Sequence, residues 1–76
     1  GGNVVIIGSG VVGMNACKVA LGMGANVTVL GRDLARLDYF SDVFSGQIQT
    51  VFSNNMNIER ELKTADLVVC TVLVTV

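Results

Sequence analysis

Apolar positions recur along this chain in two rhythms: short unbroken runs, and longer stretches that repeat every three or four residues. The runs Asn3 to Ile7, Asn26 to Leu30, Gln47 to Phe52 and Leu67 to Thr71 or Val72 predict four strands, most of them rich in β-branched residues. Val12, Ala16, Val19, Ala20 and Met23 return at helical spacing and predict a first helix from about Val11 to Met23, stopped by Gly24. Asp33 is placed to cap a second helix running to about Phe44, with Leu34, Leu37, Phe40 and Phe44 on its inner side. Asn57 is placed to cap a short third helix carrying Ile58 and Leu62. Strands and helices alternate with short links. Right-handed crossovers then predict an α/β fold, a doubly wound parallel sheet of four strands in the order 3-2-1-4.

The junction of the first strand and first helix carries the chemistry. Val4-Val5-Ile6-Ile7 runs into Gly8-Ser9-Gly10-Val11-Val12-Gly13, a G-x-G-x-x-G that follows a strand, opens a helix and lies inside a βαβ unit. Gly8 permits the tight turn, Gly10 leaves no side chain in the way of a pyrophosphate, and Gly13 lets the helix lie close to the strand. The helix start offers free N–H groups and a positive dipole end to the phosphates. The pattern predicts a partial Rossmann-type domain over residues 1–76 that binds NAD or NADP, with ligand at the crevice between strands one and four. FAD and the adenosine of S-adenosylmethionine are the other nucleotide ligands for such a turn. A glycine-rich turn without a ligand is the bland alternative.

About twenty residues further on, NAD sites place an Asp or Glu for the ribose hydroxyls. This chain instead reads Val27-Thr28-Val29-Leu30-Gly31-Arg32. Loss of the carboxylate at Gly31 removes repulsion of a 2′-phosphate. The Arg32 guanidinium, reinforced by Arg36 one turn into the helix, can pair with that phosphate. The reading leans to NADP or to relaxed specificity. The alternatives are that Arg32 is a solvated loop residue and that Asp33 partly replaces the missing acid. Ser53 follows the third strand at the carboxyl end of the sheet and is a candidate on the adenine side.

Composition narrows the picture further. Seventy-six residues make at most one small domain, and a six-stranded dinucleotide fold needs more chain, so the sequence reads as a piece of a larger protein. Its fourth strand would otherwise be an exposed apolar edge. A net charge of −1 leaves no basic footprint for nucleic acid. A hydrophobic content of 51% argues against disorder and suggests strands buried on both faces. No apolar stretch reaches the ~20 residues of a membrane span, and no signal peptide is visible, so the cytoplasm is the expected location. Cys17 and Cys70 lack metal spacing and read as free, buried thiols. With no histidine and no acid–base–nucleophile set, the segment is expected to hold no catalytic residue. In hydride transfer the cofactor carries the redox chemistry, and the substrate groups come from another domain.

Over nearly its whole length the chain resembles the nucleotide domain of the alanine dehydrogenases. The likeness is carried by Val4 to Ala16, by Ala25 to Leu30, by Leu34-Ala35-Arg36-Leu37, by Tyr39 to Phe44, by Ala65 to Val69 and by Val72-Leu73. Proton-pumping nicotinamide nucleotide transhydrogenases share this domain type. The resemblance implies an L-alanine dehydrogenase that converts alanine to pyruvate and ammonia with NAD. It also implies a homohexameric parent whose small amino-acid substrate is held by a domain outside this segment. By position, it implies that Gly8, Gly10, Val11, Val12 and Gly13 lie around the pyrophosphate. Gly31 and Arg36 would lie at the adenosine ribose, Ser53 near the adenine, and Val72 and Leu73 on the nicotinamide side. The family carries Asp at the Gly31 position, and Pro-Gly shortly after the position of Leu73; this chain has neither. The runner-up readings are a transhydrogenase nucleotide domain and a non-catalytic NAD(H)-sensing module.

Overall fold

The two strands at the centre of the sheet are the longest, five and six residues against four at each edge. In the computed structural model, which describes residues 2–71, β1 (Asn3–Ile7) pairs with β2 (Asn26–Gly31) and with β4 (Leu67–Cys70). β3 (Gln49–Phe52) adds beyond β2, giving an all-parallel sheet in the order β3-β2-β1-β4, as predicted. The crossovers are α1 (Val11–Gly22), α2 (Leu34–Val43) and α3 (Asn55–Leu62). Register places Ile6 opposite Val29 and Val69, so all three point to one face of the sheet.

That face holds the core. Ile6, Val27 and Val29 from the strands meet Met14 and Cys17 of α1 and Leu37 and Phe40 of α2. Phe40 is fully buried and meets Phe44 edge-on, ring centroids 6.3 Å apart. α2 begins as the sequence predicts: Asp33 Oδ1 accepts from the N–H of Ala35 at 3.0 Å and of Arg36 at 3.2 Å.

Several expectations are corrected. Burial on both faces holds only for the central strands, where the neighbours Val5 and Ile6 of β1 and Val29 and Leu30 of β2 are all buried; β3 and β4 bury no residue. The α3 side of the strands also carries polar pairs: Asn26 donates to Asn3, and Thr28 to Gln49. Helix α1 turns Gly13, Met14, Cys17 and Ala20 to the sheet, while Val12, Val19 and Met23 stay exposed. Gly13, Cys17 and Ala20 allow the close approach of α1, and Met14 joins the core beside them, so the valines are left outside. Leu34 sits on the outside of α2 at 62% exposure. It is the first residue after the cap, before the helix has turned its inner face to the sheet. Asn54, not Asn57, caps α3, accepting from Asn57 N–H at 2.8 Å, while the Asn57 amide donates to Phe52 O. Both cysteines are free, but only Cys17 is buried; Cys70 is exposed because β4 lies at the sheet edge.

Two measurements check this packing. Phe40→Ala should cost about 3–5 kcal/mol in denaturant unfolding, whereas Leu34→Ala should stay within about 0.5 kcal/mol. Burial pushes the Cys17 thiol from 9.0 up to about 11. Between those values the unfolded chain loses the proton and the folded chain keeps it, so stability is intact below about pH 9 and falls as pH rises towards 11. Melting curves of Cys17→Ala should therefore fall less steeply over that window than those of the parent sequence.

Candidate functional site

The end of β1 turns over Gly8, whose φ of 121° lies where side chains are rarely tolerated. The chain enters α1 through Gly10, an extended cap residue with no side-chain hydrogen bond to the helix. The first N–H groups of α1 therefore face outwards with no side-chain cap. A Cβ on Gly13 would collide with the Gly8 carbonyl oxygen, which is backbone and cannot swing aside. A Cβ on Gly10 would meet nothing within 4 Å. Gly13 thus closes the helix onto the strand, and Gly10 leaves a bare, open patch before the helix start. Free donors, a positive helix end and no side chain make a surface suited to a pyrophosphate.

Beside this loop, at the carboxyl ends of β1, β2 and β3, lies a cavity of about 530 Å³. Gly8, Ser9, Gly31, Arg32, Ser53 and Ile58 line it. The strands fix these positions through the backbone: Gly8 N–H donates to Leu30 O at 2.8 Å, and Ser53 N–H to Gly31 O at 2.8 Å. Its size lies within the usual range for small-molecule sites, and its place is where parallel sheets bind nucleotides. A second hollow of about 430 Å³ opens at the other end of the strands, around Asn3, Asn26, Gln47 and Gln49. It lies away from the glycine loop and the helix N-terminus.

The charges at the cavity mouth are unevenly engaged. Arg32 is exposed, and among the described residues the one ion pair, Arg60 with Glu61, lies elsewhere. Asp33 also lines the cavity, but its Oδ1 is committed to the start of α2. Arg36 does not line the cavity. Its Nε donates to Ser9 O at 3.0 Å, and its guanidinium lies 5.0 Å from the Tyr39 ring centre and 5.4 Å from that of Phe40. Arg36 therefore ties the glycine loop to α2.

Of the positions read from the sequence, Gly8, Gly31, Arg32 and Ser53 are brought together around one cavity. Gly10, Val11 and Gly13 form the adjoining helix start. Val12 lines a separate apolar groove between α1 and β4, with Val4, Ala16, Val19 and Leu67. Val72 and Leu73 lie outside the described residues. At the floor of the β1–β4 crevice, Thr71 donates to Ile7 O through its N–H at 2.8 Å and its hydroxyl at 3.0 Å. The sequence reading missed Ser9 and Ile58. Ser9 occupies a free position of the motif, and the spacing of Ile58 and Leu62 marks a helix face without marking a ligand site.

A parallel sheet reversing its strand order beside a glycine loop and a helix N-terminus defines a dinucleotide-binding domain of the Rossmann type. Residues 1–76 match the family described as "Alanine dehydrogenase/PNT, C-terminal domain", and the chain belongs to that family. It is 53% identical over 72 residues to an alanine dehydrogenase of Bilophila wadsworthia, covering 95% of this chain and 19% of that protein. It is 49% identical over 71 residues to one from Methanococcus maripaludis, covering 93% and 19%. The solved structure of an L-alanine dehydrogenase superposes with a TM-score of 0.85 at 40% identity, covering 88% of this chain and 19% of the other. The chain thus spans about a fifth of the length of the relatives it matches. No helix among the described residues is long and apolar enough to cross a membrane.

The two glycines separate fold from ligand. Gly13→Ala should destabilise the domain by about 1–3 kcal/mol. Gly10→Ala, at the helix N-cap, should cost no more than about 1 kcal/mol of stability yet weaken dinucleotide binding by about tenfold or more. Paired denaturation and NADH titrations check both.

Proposed function

We propose that the chain is the cofactor domain of a larger L-alanine dehydrogenase, in which it holds NAD or NADP. The observation that carries the reading is the open Gly10 patch at the start of α1, fixed by the contact of Gly13 with Gly8, in a chain of the alanine dehydrogenase family. In this reading the α1 N-terminus and the bare loop hold the pyrophosphate, and the cavity bounded by Gly31, Arg32 and Ser53 holds the adenosine. Val72 and Leu73 would continue the cleft towards the nicotinamide. Bound nicotinamide supplies the hydride acceptor for the alanine Cα–H. Water then releases pyruvate and ammonium, so that alanine, oxidised cofactor and water give pyruvate, ammonium, reduced cofactor and a proton. The acid–base groups belong to the rest of the parent protein. The absent acid at Gly31 and the exposed Arg32 support acceptance of NADP beside NAD. A cytoplasmic homohexamer is the further expectation, resting on the resemblance alone.

The full-length protein should reduce the nicotinamide cofactor when L-alanine is added, with one ammonium released per reduced cofactor. It should run in reverse with pyruvate and ammonium. Turnover with a different amino acid would keep the class and overturn the substrate. No turnover with any amino acid would overturn the dehydrogenase reading.

A further inference from the structure

Gly31 ends β2 facing the glycine loop, and the space beside its Cα is already filled. A Cβ built there would lie 2.7 Å from Ser9 Oγ, 2.9 Å from Ser9 Cβ and 3.2 Å from Leu37 Cδ2. The hydroxyl alone could rotate away about χ1. Ser9 Cβ moves only with the backbone, and that backbone is held by Arg36 through its bond to Ser9 O at 3.0 Å. Leu37 closes the other side from the core. Ser9 and any side chain at position 31 therefore compete for one volume.

That volume is chemically special. It adjoins the cavity that Gly31, Arg32 and Ser53 share with Ser9, at the strand end where NAD domains present a carboxylate to the ribose. Here a neutral hydroxyl stands in its place, beside an arginine with no ion-pair partner among the described residues. Asp33, the one acid lining the cavity, has Oδ1 engaged by two backbone N–H groups of α2. A hydroxyl donates to a phosphate oxygen without repelling it, and a guanidinium adds a charge-assisted bond.

We propose that Ser9 is a cofactor-specificity residue. Its hydroxyl replaces the side chain missing at Gly31 and, with Arg32, recognises a phosphate monoester on the adenosine 2′ position. The domain accordingly prefers NADP(H). This proposal rests on the reading of the cleft as a nicotinamide dinucleotide site. It has a consequence that the glycine motif alone does not have: restoring the acid at position 31 works only when Ser9 is also removed.

The test is a set of NADH and NADPH fluorescence titrations on the full-length protein and its S9A, R32A, S9G, G31D and S9G/G31D variants. The parent sequence should bind NADPH more tightly than NADH. S9A and R32A should each lower that preference by about tenfold, the size of one hydrogen bond to a charged group. G31D alone should weaken both cofactors, and S9G/G31D should restore NADH binding and reverse the preference. S9A removes a single oxygen and tests Ser9 even where G31D fails to fold. Two results would overturn the role of Ser9 while leaving the dinucleotide site standing. One is that G31D alone switches preference as fully as the double variant; the other is that S9A leaves the preference unchanged. Binding of neither cofactor by the parent sequence would overturn the dinucleotide reading itself, and the role of Ser9 with it.

Discussion

Where α1 crosses the end of β1, backbone meets backbone with no side chain between them. Gly13 lies so close to the Gly8 carbonyl that even a methyl group has no room. From this contact follow the height of α1 above the sheet, the direction of its N-terminus and the shape of the loop between. The loop is then secured from two more sides: Gly8 N–H is bound by Leu30 O, and Ser9 O by the Arg36 side chain. A loop fixed at three points holds its shape before any ligand arrives. Donors fixed in advance bind an anion without first losing conformational freedom, which is the general advantage of preorganisation.

The packing around this contact is lopsided. One face of the sheet carries a closed core in which Phe40, Ile6, Val29 and Cys17 are fully buried. The other face buries Val5 and Leu30 on the central strands but also carries Asn3, Asn26, Thr28 and Gln49, and α3 has no buried residue of its own. The apolar groove between α1 and β4 also remains open. In relatives about five times as long, most of the chain lies outside the matched segment.

Element identity and strand order were legible because the strand runs are β-branched, the links are short and crossover handedness leaves one topology. The Asp33 cap was legible for a local reason: its carboxylate reaches backbone two and three residues on. Facing was harder to read. The stripe of Val12, Val19 and Met23 has the right period but lies outside, because close approach selects Gly13, Cys17 and Ala20 for the inner side. Hydropathy ranks valine above glycine, whereas the helix-to-sheet distance ranks them the other way. The start of α3 was misread because Asn54 and Asn57 are both good caps, and only the fold decides which of them meets the Phe52 carbonyl.

The candidate site shows the same division. Gly8, Gly10 and Gly13 could be assigned tasks from spacing alone, since each task is a property of local backbone. Arg36 could not. By position it looked like a ligand group, yet in the fold its Nε is bound to Ser9 O and its guanidinium lies over two aromatic rings. Arg32, one turn earlier, is the arginine left exposed at the cavity. The two residues next to each other there, Ser9 and Gly31, belong to different strand ends, and no local pattern couples them. A motif written G-x-G-x-x-G treats its second position as free. In this fold that position faces the end of β2, and the residue there limits what β2 can present to a ligand. Freedom in a sequence pattern is therefore a statement about backbone requirements. It does not extend to a site where two loop ends share one small volume.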